Sequence, residues 1–406
     1  MMFLQFFIWG VWYVPMWTFL GTLEIEASLR GTAYAATGVA AMISPFIVGM
    51  IADRYFATQK VYGFLHLLGG VALFLAGQAQ DWASFYPYLL FHLICYMPTL
   101  ALSNSLCFQN MEDPQKEFPP IRTLGTIGWI ASGILVGSSF FDEGSYQLIW
   151  PAFLGGENPP AEWSSIAVTS LTFQIGAMVS FALGLYSFTL PNTPPKLKGQ
   201  KVSMGDVLGL RALALMKDRS FAIFIGCSLL VCIPLSFYFQ SANGFLKEMG
   251  VANSEGVLTL GQFSEIFFLL LVPWFFRRLG VKRMLLIGMG CWVLRYVLFA
   301  QADAQTHALL YLGVLLHGIC YDFFFVTGQL YVDKVAPDDI RSSAQGFIAF
   351  VTLGVGMFIG GILNGWWNGI QSAEGVMNWE MVWYFPAALA GGVMLVFALS
   401  FKAKES

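Results

Sequence analysis

Three charged side chains fall inside long apolar runs: Glu265 in GQFSEIFF, Arg295 in CWVLRYVLFA and Asp322 in HGICYDFFF. An isolated charge at the centre of a bilayer costs about 2.5–3.5 kcal/mol on insertion scales, so such groups face protein or water rather than lipid. Counting from the cytoplasmic ends of their runs at a rise of about 1.5 Å per residue puts Asp322 roughly 14 Å deep and Glu265 and Arg295 roughly 17 Å deep. One cation cannot match two acids. Arg295 is a candidate for a structural ion pair with either Glu265 or Asp322, and the other carboxyl then becomes a site for proton uptake, because a low-dielectric setting favours the neutral acid.

Other groups extend this chemistry. Gln262 lies three residues before Glu265 on the same helical face. An amide beside a carboxylate can bond the hydroxyls or ring edges of a polar ligand, or it can satisfy a neighbouring helix. Arg122, Thr126 and Trp129 stand at i, i+4 and i+7 and form one stripe. Arg122, near the cytoplasmic mouth, reads equally as a binding group or an interfacial anchor, and Trp129 as a stacking surface or a packing residue. Tyr321 and Phe323 flank Asp322, and Trp9, Trp12, Tyr13, Phe237, Tyr238 and Phe239 add to the aromatic supply. His66, His92 and His317 offer alternative proton carriers. His317 is five residues from Asp322, about 140° around a helix, so the two do not share a face.

Positioning these groups requires membrane-spanning helices. Of the 406 residues, 57% are hydrophobic and 11% charged, and the mean hydropathy is +0.66. That profile is of an integral membrane protein rather than a soluble domain. Twelve runs long enough to cross a bilayer are predicted: 2–22, 32–51, 61–79, 84–106, 122–141, 166–190, 219–241, 256–276, 284–302, 306–331, 343–365 and 381–401. The first has neither a basic n-region nor a small-residue cleavage site after it and is read as a retained helix. The six cysteines lie in or beside apolar runs without CxxC or His/Cys ligand spacing, which indicates neither a disulfide framework nor a metal site. No phosphate loop and no nucleophile–base constellation is present, so neither ATP-driven chemistry nor an enzyme is indicated.

With both termini cytoplasmic, the inward loops collect Arg54, Lys60, Lys116, the cluster from Lys196 to Arg219, Arg277, Arg278, Lys282, Arg283, Lys334, Arg341, Lys402 and Lys404, whereas only Arg30 and Lys247 fall outside. This asymmetry obeys the positive-inside rule with an even number of helices. The basic, proline-bearing segment 191–218 reads as a cytoplasmic linker between a bundle over 1–190 and a second over 219–406. FPPIRTLGT (118–126) and PDDIRSSAQG (337–346) echo each other across it, as do GMIADRY (49–55) and FFRRLGVKR (275–283).

The segments FLQFFIWGVW, YMPTLALSN, FPPIRTLGTIGW, GQFSE, WVLRYVLFA, YDFFFVTGQLYVDK and SAQGF, in this order and spacing, resemble the bacterial nucleoside:proton symporters of the major facilitator superfamily. The resemblance spans nearly the whole chain. It implies an all-α integral membrane protein of twelve transmembrane helices in two parallel six-helix repeats, with a nucleoside site at the midplane. Carried over residue by residue, it implies substrate contacts from Thr126, Trp129, Gln262, Glu265, Tyr321 and Asp322, and proton coupling by Asp322, Glu265 and Arg122. Trp129 and Tyr321 stand where phenylalanines are familiar. Ser236 and Phe239 stand where Gln and Asn contacts are expected, with Gln240 and Asn243 nearby. The implied protein is a monomer of the bacterial inner membrane that imports nucleosides with the proton as its coupling ion, no other cofactor and no nucleic-acid partner. A proton-coupled symporter of a sugar or similar small solute, and a non-transporting receptor or scaffold, are the alternatives.

Overall fold

Where backbone cannot bond to water, every N–H and C=O must find its partner inside the segment, which selects helices of about 20 apolar residues. The computed structural model describes residues 1–195, 210–251, 253–337, 340–373 and 376–402. Its helices are α1 (Met2–Thr22), α2 (Ala27–Arg54), α3 (Thr58–Gln78), α4 (Trp82–Gln109), α5 (Pro114–Ser138), α6 (Leu171–Ser187), α7 (Arg219–Glu248), α8 (Ser254–Gln301), α9 (His307–Val335), α10 (Ala344–Gln371) and α11 (Trp379–Ser400). All except the 17-residue α6 are long and apolar enough to cross a membrane, making ten among the described residues.

The predicted eighth and ninth runs form one 48-residue stretch, α8. A straight helix of that length would reach about 72 Å, more than twice the ~30 Å hydrocarbon core. It is broken at Gly280, where φ is 69° and ψ is 174°, a conformation that a β-carbon makes costly. Arg277, Arg278, Lys282 and Arg283 surround the break. Its two arms pack against the same helix: Val272 from the first and Met284 from the second share an apolar cluster with Phe323 of α9.

Two segments depart from the sequence expectation. The fifth run, expected to continue to 141, ends as a helix at Ser138. The chain then forms strands β1 (Ser139–Asp142), β2 (Ser145–Leu148) and β3 (Ser164–Ser165), antiparallel in the order β2-β1-β3. Phe140 and Phe141 sustain hydropathy across this point, but their backbone bonds go to neighbouring strands. The sixth run, expected from 166, starts with a tight turn at Ile166–Val168 and becomes α-helical at Leu171.

Contacts divide the chain into two units, Met1–Lys201 with Val251–Thr259, and Val202–Gly250 with Leu260–Ser406. Of the expected linker 191–218, residues 196–209 lie outside the described residues, as do Asp338 and Asp339 of the second charged echo. The first unit is tied by polar contacts: the buried Tyr34 hydroxyl donates to the Tyr13 carbonyl at 2.9 Å, and the Gln59 amide donates to the exposed Asn192 at 2.9 Å.

Candidate functional site

In the first unit the expected stripe lies on α5. Arg122, Thr126 and Trp129 are all half-buried. The Arg122 guanidinium sits 4.3 Å from the centroid of the Phe6 ring of α1, and Trp129 meets Trp9 edge-on at 5.6 Å. Trp9 in turn contacts Tyr13 at 5.6 Å and Tyr96 at 5.8 Å. An edge-on aromatic neighbour fixes the ring plane of Trp129.

Beside this aromatic group is a polar network of which the sequence singled out only His66. Gln5 donates to Thr99 at 2.8 Å and accepts from the Tyr62 hydroxyl and from His66 Nε2, the latter at 2.9 Å. The Tyr96 hydroxyl donates to the Gln5 carbonyl at 2.5 Å, and His66 Nδ1 lies 3.2 Å from Ser180 Oγ. Every member is buried. A buried network with its bonds made confers rigidity, and its members come from α1, α3, α4 and α6, so no local spacing announces it.

In the second unit α8 and α9 come together through two glycines. A β-carbon on Gly318 would lie 2.4 Å from the Ser264 carbonyl, and one on Gly261 would lie 3.0 Å from His317 Cβ. The Ser264 hydroxyl donates to the Leu315 carbonyl at 2.6 Å, closing the seam. This approach sets His317 beside Glu265. Arg295 Nη1 lies 3.2 Å from His317 Nδ1, and His317 Nε2 lies 3.7 Å from Glu265 Oε2. Arg295 is fully buried; its Nε and Nη2 make no hydrogen bond, and its charge is covered by the Tyr238 ring, 3.4 Å from the guanidinium carbon, with Trp292 at 5.4 Å. Tyr238 and Tyr321 stack on His317 at 5.3 and 5.6 Å. The Tyr296 hydroxyl donates to the Pro234 carbonyl of α7, fixing the stretch that carries Tyr238.

Gln262 is buried at 8% exposure and Glu265 half-buried. Asp322 is 1% exposed, and neither of its carboxyl oxygens makes a hydrogen bond. It opens a widened π-type turn over Asp322–Val326, a form of helix often found at functional sites. The structure therefore groups Glu265, Arg295, Tyr238 and Tyr321 around His317, whereas Gln262 is buried on α8 three residues before Glu265. Asp322 adjoins this cluster, within electrostatic reach of Glu265. On α7, Ser236 donates to Met357 Sδ at 3.4 Å, whereas the buried amide of Gln240 has no hydrogen-bond partner.

Residues 1–406 match the family described as Nucleoside H+ symporter. The chain is 41% identical over 415 aligned positions to the Escherichia coli protein YegT, covering 100% of this chain and 93% of that one. It is 31% identical over 419 positions to xanthosine permease of Escherichia coli, covering 99% and 94%. The crystal structure of the nucleoside transporter NupG is similar with a TM-score of 0.84 at 30% identity, covering 99% of this chain and 98% of that one. With its whole length matched, the chain belongs to the nucleoside H+ symporter family, a family of transporters and not of enzymes.

Proposed function

We propose that the protein imports nucleosides by proton symport across the bacterial inner membrane, through alternating access of two six-helix halves. The two arms of α8 and the short α6 bring the ten long apolar helices to twelve crossings. Basic residues clustered at the ends assigned to the cytoplasm support cytoplasmic termini. The protein works as a monomer with the proton as its coupling ion.

In this reading Thr126, Trp129 and Tyr321 line the base and sugar, and Gln262 and Glu265 read hydroxyls or ring edges. Asp322, with Glu265 and Arg122, couples proton movement to substrate. The observation that carries it is the Asp322 carboxyl, buried with no hydrogen bond to either oxygen. Burying a lone charge costs far more than burying a neutral acid. A structural acid is normally paired, so one without hydrogen bonds fits a group that gains and loses a proton as its exposure changes. The test is uptake of labelled uridine or adenosine by proteoliposomes under an imposed pH gradient. Gradient-dependent accumulation is expected; folded protein that accumulates no nucleoside refutes the reading.

A further inference from the structure

The cluster around His317 contains a proton count that settles its tautomer. Arg295 carries five N–H donors and no acceptor. Its Nη1 is 3.2 Å from His317 Nδ1, so Nδ1 must present a lone pair. A neutral imidazole with a bare Nδ1 has its proton on Nε2, the nitrogen turned toward Glu265 Oε2 at 3.7 Å. An imidazolium would set an N–H against the N–H of Arg295.

The ring has no room to escape this arrangement. Tyr238 and Tyr321 stack against it, Gly261 lies against its Cβ, and the histidine is 2% exposed. Among the described residues, the titratable groups around it include Tyr238 from α7, Glu265 and Arg295 from the two arms of α8, and Cys320 and Tyr321 on its own helix, with Asp322 next in sequence. Of these only Arg295 is a cation, and it disfavours a second positive charge beside it.

We propose that His317 is a positioning residue for nucleoside binding: held as the neutral Nε2–H tautomer, it relays the polarity of Arg295 to the Glu265 carboxylate and does not carry the transported proton. At 3.7 Å the contact to Glu265 is longer than a hydrogen bond, so the ring acts on the carboxylate through its electrostatic field. This rests on the symport reading, with Glu265 as a substrate contact.

Two variants separate the relay from simple packing. H317F keeps a ring between the two tyrosines but removes both nitrogens, whereas H317Q retains one acceptor and one donor. In proteoliposomes H317F is expected to raise KM for uridine about tenfold, the loss of one contact to a charged group, with a smaller change in kcat. H317Q is expected to recover most of that loss, and the pH profile of uptake should keep its midpoint in both. In the detergent-solubilised wild type, nitrogen-15 spectra of labelled histidine should contain one signal, absent from both variants, with bare Nδ1 and protonated Nε2 from about pH 5 to 8.

A doubly protonated ring in that range, or a shifted uptake midpoint in the variants, overturns the proposal. So does an H317F KM within about twofold of wild type, since that change is too small for a lost charged contact. The spectrum needs no substrate: wild-type protein with the expected tautomer but no nucleoside uptake would refute the transport reading instead.

Discussion

The guanidinium carbon of Arg295 lies 3.4 Å from the centroid of the Tyr238 ring. A fully buried cation whose Nε and Nη2 make no hydrogen bonds relies on such a π-face, an interaction worth about 2 kcal/mol when desolvated. Tyr238→Leu is therefore expected to destabilise the protein by about 2 kcal/mol, and Tyr238→Phe, which keeps the face, by much less. Thermal unfolding in detergent measures both; equal losses would show that the hydroxyl rather than the ring matters.

Asp322→Asn preserves side-chain volume and removes the titrating group. Nucleoside accumulation under a pH gradient is expected to drop to the level of protein-free liposomes, while nucleoside counterflow, which needs no net proton movement, persists. Wild-type uptake should rise as the outside is acidified and that of the variant should not. A wild-type pH response in the variant would move the coupling role to Glu265.

Trp129 is held edge-on by Trp9, with its ring plane set before any ligand arrives. Stacking of a base on an aromatic side chain contributes about 1–3 kcal/mol. Trp129→Ala should weaken uridine binding by about 5- to 150-fold, and Trp129→Phe should retain most of it. Isothermal titration with purified protein gives the comparison, and an unchanged Kd for Trp129→Ala would assign the residue to packing.

Gly318 permits the seam between α8 and α9. The β-carbon of Gly318→Ala would meet the Ser264 carbonyl at 2.4 Å, backbone that cannot swing aside. Overpacking of this kind costs about 1–3 kcal/mol, read as a lower Tm. Gly226→Ala is the control, since nothing lies within 4 Å of its β-carbon position, and its Tm should not fall.

Acid stability has a contributor outside the membrane. Hydrogen bonds from the Ser84 backbone N–H and hydroxyl hold the Asp81 carboxyl below its usual range. A depressed folded-state value means that the stabilisation is present above the ordinary carboxylate value near 3.9 and is lost as pH falls through the lower, folded value. Asp81→Ala should lower Tm at neutral pH and flatten its decline below about pH 4; an unaltered acid limb would exclude this cap.

Helix positions were legible because the bilayer imposes a length and a composition that any apolar run must meet. The residues around Phe140 and Phe141 were not, since an apolar strand beside a membrane carries the same hydropathy as a helix end, and partner strands alone decide between them. The unusual residue types at Asp322, Glu265 and Arg295 announced themselves. The place of His317 did not: a helical wheel gives its angle from Asp322, but only the close approach at Gly261 and Gly318 brings it to Glu265. The Gln5 network was hidden for the same reason, with partners up to 114 residues apart.

The widened turn at Asp322–Val326 has a counterpart at Phe350–Gly356 in α10. Such a turn holds one residue more than its neighbours, and one residue is about 100° of rotation in an α-helix. The faces of the following segment, Thr327–Val335, are therefore offset by about 100° from the register that His317 sets. The helix that bears the buried acid thus changes register at that acid, next to the tyrosine that stacks on His317.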